Sequence, residues 1–213
     1  MENHDVKQVE QRVKRYWYSD GIAELASGGL FVLLGLYFWL QVIFGEGSII
    51  SAFLQVILLL VMIAGFIGVR WLVNTLKARL TYPRTGYVEY RVDDREVKQR
   101  RWIIVAAAAV VSGMSIVFEI YIRDLDSVIL ITGLLAGIIF IALRGRASGL
   151  KRFYALGGLA IVLGIALSLS SLSQVTDLAL FFGFLGIVIV TSGAFVLRRY
   201  LSENPKPAGD NNG

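Results

Sequence analysis

The chain has 213 residues, 56% of them hydrophobic, and a formal net charge of +5. Its mean hydropathy of +0.66 excludes an ordinary soluble domain, which interrupts its apolar runs with a polar face. With no Cys and a single His, at His4 in a polar segment, a disulfide framework, a thiolate metal site and a His-rich metal centre are all excluded, and no cofactor is expected.

The apolar runs are long enough, or nearly long enough, to cross a bilayer core, which takes about 20 helical residues. Only helices and closed barrels satisfy their backbone in lipid. A barrel would show strict alternation, and these runs do not. The chain therefore reads as an all-α polytopic membrane protein with six transmembrane helices. Its basic excess is the usual signal of cytoplasmic retention, so no nucleic-acid partner is inferred.

Residues 1–20 form the first segment. Val6, Val9, Val13, Tyr16 and Trp17 recur at helical spacing, with Lys7, Arg12, Lys14 and Arg15 around them. That pattern predicts a basic amphipathic helix lying at the inner membrane interface. A solvated helix packed on the cytoplasmic loops is the plainer alternative. The segment lacks the apolar core and cleavage site of a signal peptide.

The first hairpin covers 22–73, with spans at 22–44 and 49–73 joined by GEGS. Asp20 stands where a helix start favours a cap or an acid. The second span is expected to continue as helix to Leu80. A cytoplasmic loop, 74–101, follows. Pro83 is expected to stop the helix and open a turn to Gly86. Tyr87, Glu89 and Arg91 then alternate with Val88, Tyr90 and Val92, a strand-like pattern. Asp93 and Glu96 have the spacing of a capping box for the third helix.

The second hairpin covers 102–143, with spans at 102–122 and 127–143. The third covers 153–198, with spans at 153–170 and 177–198. The tail, 202–213, is polar and Pro/Gly/Asn-rich, and is expected to be disordered. Sorted by side, all of the 21 Lys and Arg except Arg123 fall at one face. Both termini are therefore expected to be cytoplasmic, and the membrane to be the plasma (inner) membrane.

The third hairpin shows signs of repeating the first. ASGGLFVLLGLYFWL at 26–40 aligns with ALGGLAIVLGIALSL at 155–169, and the same offset brings Arg70 onto Arg199. Such a repeat would be parallel, about an axis along the membrane normal.

YWYSDGIAELASGG at the first span, together with LTYPRTGYVEYR after the second, resembles a group of uncharacterised prokaryotic multi-pass membrane proteins with a YPRTGYV cytoplasmic loop. The resemblance covers roughly residues 12–92. It implies a prokaryotic membrane protein, with no activity or catalytic residues to carry over.

Ionisable groups within spans are the default functional candidates. Glu119 lies four residues before Arg123, the favourable order for a helical pair. Glu24 lies one turn into the first span, where Arg152 or Arg144 could pair with it. Structural pairing is set against ion or proton handling for each. Ser112, Ser115, Thr132 and Thr191 sit near the midplane, and small-xxx-small spacings such as Gly133/Gly137 and Ala160/Gly164 signal close helix packing. No span carries Pro, so broken transporter helices are not indicated. No hydrolase, metalloprotease or nucleotide-binding motif occurs, and the chain is not expected to be an enzyme.

The leading expectation is a non-enzymatic scaffold or regulatory protein in the lipid bilayer. It would bind anionic lipid headgroups, or a cytoplasmic or membrane protein partner, through its basic face, with Arg84, Arg91, Tyr87 and Tyr90 of the loop as contacts. The plainer reading of those arginines is topology enforcement alone. The alternative function is a small-solute transporter or channel. Homo-oligomer formation is left open.

Overall fold

The first span forms as a helix with the expected ends, α1 (Ile22–Phe44). The second is α2 (Ile49–Leu76). These elements come from a computed structural model, which describes residues 16–45, 49–85 and 127–205. All secondary structure among the described residues is helical. The predicted strand at 87–92, the capping box at Asp93 and the third span at 102–122 lie outside them.

The other elements are α3 (Ser127–Ile138), α4 (Lys151–Ser168) and α5 (Gln174–Glu203). A wider π turn at Ile139–Gly145 and a short helix at Arg146–Ser148 prolong α3. Among the described residues, four helices are long and apolar enough to cross a membrane: Ile22–Phe44, Val128–Ser148, Lys151–Ser168 and Gln174–Glu203. Predicted span two is helical throughout within α2.

Pro83 does not stop the helix. After α2 the chain makes a π turn over Lys77–Thr81, in which the Tyr82 N–H bonds to the Lys77 carbonyl. Tyr82 keeps right-handed helical angles, so the chain runs on without a break into an α-helical turn at Tyr82–Thr85. Pro83 thus sits inside a continuous helix directly after the wider turn, where the regular i→i−4 ladder is already interrupted.

Contacts divide the chain into two units, Met1–Val88 with Phe182–Gly213, and Glu89–Phe181. In the first unit α1 packs against α2 and, antiparallel, against the 182–203 stretch of α5. Ile22, Ala26 and Val73 are its buried centre, with Trp17, Leu76, Leu80 and Leu197 around them. In the second unit α3 packs antiparallel on α4.

Both packings rest on bare backbone. A Cβ at Gly35 would lie 2.5 Å from the Gly183 nitrogen, and one at Gly28 would lie 2.8 Å from the Val190 nitrogen. One at Gly186 would lie 2.6 Å from the Val32 nitrogen. In the second unit a Cβ at Gly133 would lie 2.6 Å from the Gly164 Cα. Lipid tails are as apolar as Leu, so helices in a bilayer associate through close contact of this kind rather than through apolar burial. The spacings Gly133/Gly137 and Ala160/Gly164 therefore mean what they usually mean. The α1–α5 seam uses a longer period, with Gly21, Gly28 and Gly35 on one helix and Gly186 and Gly193 on the other.

The interior is mainly apolar, and much of the surface is apolar too. Phe53, Ile67, Trp71 and Phe195 are each at least 67% exposed, while Asp20, Glu24 and Asp177 are completely buried. Asp177 accepts the Ser170 hydroxyl at 2.8 Å, closing the turn between α4 and α5.

Gly35→Val is expected to lower the stability of the detergent-solubilised protein by about 1–3 kcal/mol through overpacking against Gly183. Gly29→Ala meets nothing within 4 Å and is expected to be neutral or stabilising. Thermal unfolding of the two variants side by side checks the seam; equal midpoints would contradict it.

Candidate functional site

The start of α1 is a tight, buried turn. Residues 16–18 are helical, and the Ser19 N–H and hydroxyl both donate to the Tyr16 carbonyl, ending that helix. Gly21 adopts φ 71°, a left-handed conformation cheap only for glycine. The Asp20 carboxylate then accepts the Ile22 N–H at 3.1 Å and satisfies one of the free donors at the start of α1. Asp20 thus acts at the helix start, as the sequence suggests.

The other Asp20 oxygen is the centre of a polar cluster. It lies 2.9 Å from the Lys77 ammonium and accepts the Thr81 hydroxyl at 3.1 Å. Lys77 also donates to the Trp17 carbonyl at 2.5 Å, and its ammonium sits 4.0 Å from the centroid of the Trp17 ring. Lys77 is 2% exposed and Asp20 0%. A buried ammonium needs this many partners, because desolvation of an unpaired charge is expensive. Burial holds the Lys77 pKa below its ordinary value, and the Asp20 charge and hydrogen bond offset part of that shift.

One turn along α1, Glu24 is also completely buried. It accepts the Ser192 hydroxyl of α5 at 3.3 Å, and Gly193 packs against its Cβ. Glu24 is therefore a carboxylate at a helix–helix seam. The expected partner Arg152 belongs to the other unit. There Arg144 and Arg152 stand over the ring of the buried Phe153, at 5.9 and 5.3 Å.

Arg84 does not simply project to solvent. Its guanidinium donates to the Leu201 and Asn204 carbonyls at 3.2 and 2.7 Å. It thus closes the end of α5, where carbonyls lack helical partners and a cation is favoured. Tyr87, Tyr90, Arg91 and Glu119 lie outside the described residues. Of the midplane hydroxyls that are described, Thr132 bonds to Val128 and Thr191 to Ile187 and Val188 within their own helices, while Ser192, beside Thr191, bonds across to Glu24.

A second turn in the other unit follows the same pattern as the first. The buried Ser148 accepts the Leu150 N–H, and Gly149 between them has φ 67°. Asp20–Gly21–Ile22 and Ser148–Gly149–Leu150 are similar turns before α1 and α4, but they fall one residue out of step with the offset that aligns the two helices. Lys77 and Trp17 are the members that sequence reasoning missed. Lys77 was one of many basic residues in its loop, and its only distinctive signal is Thr81, four positions on. Comparison with protein-family models, curated proteins and solved structures finds no match to this chain.

Lys77→Met leaves the Asp20 charge buried and is expected to cost about 3–5 kcal/mol. Asp20→Asn with Lys77→Met removes both charges and keeps an acceptor for Ile22. The double variant is expected to lose less than the two single changes summed, by at least about 1 kcal/mol. A double-mutant cycle on thermal unfolding checks this, and strict additivity would refute the coupling.

Proposed function

We propose that this chain is an integral membrane protein with six transmembrane helices and both termini cytoplasmic. It resides in the plasma (inner) membrane of a prokaryote, with an amphipathic N-terminal helix at the inner interface. It belongs with the YPRTGYV-loop group that it resembles. It works without catalysis, as a scaffold or regulatory protein that binds anionic lipid, or a protein partner, through its basic cytoplasmic face.

One observation carries the reading. The start of α1 and the ends of α2 and α5 meet at one end of the first unit, through the Lys77–Asp20 and Arg84–Leu201 contacts. At that end two acids and one base, Lys77, are buried together, and most of the other bases face outward. Asp20 and Glu24 are buried, while Arg70, Arg79 and Arg198 are exposed. The exposed Glu203 is taken up by Arg199 at 2.7 Å. What this end offers to a membrane surface is therefore mainly positive, and each such side chain contributes about 1 kcal/mol of attraction to anionic headgroups. The self-contained Thr132 and Thr191 hydroxyls give the transporter reading no support.

The chain has no Cys, so single-Cys variants report topology directly. An impermeant maleimide added to intact cells is expected to label position 47 and spare position 86; the reverse would overturn the orientation. For binding, the protein is extracted with equal phosphatidylglycerol and phosphatidylcholine. Wild type is expected to retain the anionic lipid preferentially at low salt, and Arg70→Gln/Arg146→Gln/Arg198→Gln to lose much of that preference. Equal retention of both lipids by wild type would remove the anionic-lipid function.

A further inference from the structure

Between α1 and α2 runs an open apolar groove of about 600 Å³, within the ~300–1,000 Å³ typical of ligand sites. Its floor and walls include Gly29, Leu30, Leu33, Gly68, Trp71 and Leu72. Two of these glycines leave real space, since a Cβ at Gly29 or at Gly68 would meet nothing within 4 Å. The groove includes Leu25 and Ala26 near the start of α1, and Trp71 and Leu72 near the end of α2. It therefore opens close to the end where the arginines cluster.

What stands above it is positive. Arg79 follows Gly68 by about three helical turns, which returns it to roughly the same face of the helix. It is exposed and makes no ion pair among the described residues. From Leu72 to Arg79 the rise is roughly 10 Å, a distance that separates the upper part of a fatty chain from its phosphate. Among the described acids of this end, Asp20 and Glu24 are buried and Glu203 is held by Arg199, so none of the three competes for the guanidinium.

We propose that this groove seats one acyl chain of an anionic phospholipid, with its phosphate at Arg79. The proposal rests on the anionic-lipid reading above and gives it a specific seat. The apolar walls select a hydrocarbon chain, and Arg79 selects a negative headgroup over a zwitterionic one. Trp71 has the amphipathic ring that prefers the boundary between the two.

The test uses Gly68→Leu, which puts a side chain into the groove from a position where a Cβ meets nothing within 4 Å, and Arg79→Gln, which removes the charge and leaves the groove open. Both full-length variants and wild type are extracted with equal phosphatidylglycerol and phosphatidylcholine, and bound lipid is counted by native mass spectrometry. Wild type is expected to hold phosphatidylglycerol in preference. Gly68→Leu should stay folded and lose most bound lipid of either kind. Arg79→Gln should keep lipid but lower the preference roughly fivefold. Wild-type lipid retention by Gly68→Leu would overturn the seat. An unchanged lipid preference in Arg79→Gln would overturn the placing of the phosphate at Arg79. In either case a preference still reduced by Arg70→Gln/Arg146→Gln/Arg198→Gln would leave the general lipid reading standing.

Discussion

A charge withdrawn from water must be matched, and the Asp20–Lys77 pair is where this chain meets that requirement. The pair brings together three remote pieces of sequence. Asp20 sets the first turn of α1 through the Ile22 N–H. Lys77 and Thr81 come from the widened turn after α2. Trp17 closes the far side with its carbonyl and ring. If either charge is removed, the other stays buried without compensation, so the start of α1 and the end of α2 depend on each other.

Farther along the helices, polar contacts give way to glycine. The α1–α5 seam allows backbones to touch at Gly35 and Gly183, and Glu24 meets Ser192 where the seam begins. Contact at that distance favours dispersion and leaves no room for an added methyl group. The two kinds of restraint are complementary. The ion pair fixes the ends of α1 and α2, and the glycines fix how closely α1 and α5 run together.

The helices were largely legible in the sequence, because length and hydropathy are local properties. The bounds of α1 fall where the apolar run and Asp20 place them. Pro83 misled for a local reason as well, since a proline breaks a regular i→i−4 ladder, and the π turn that already interrupts the ladder before it was not visible in the residues. The partners were much less legible. Glu24 stood out as a carboxylate in an apolar run, yet Ser192 lies 168 residues away. Arg84 looked like an outward contact, and its carbonyl partners on α5 carry no side-chain signature at all. The seven-residue spacing of Gly21, Gly28 and Gly35 was present to be read, but the four-residue spacings elsewhere are the more familiar pattern.

The wide separation of the cluster's members has a consequence for how the protein is made. Thr81 follows Asp20 by 61 residues, and at ~5–20 residues per second a ribosome takes roughly 3–12 s to supply it. Throughout that delay the Asp20 carboxylate lacks its Lys77 partner, and an unpaired carboxylate keeps its water. The beginning of α1 therefore cannot settle into its final burial when it is first made. It is drawn in only when α2 has been made and has delivered Lys77, which makes the α1–α2 pair, rather than the single helix, the smallest piece of this chain that can complete its fold.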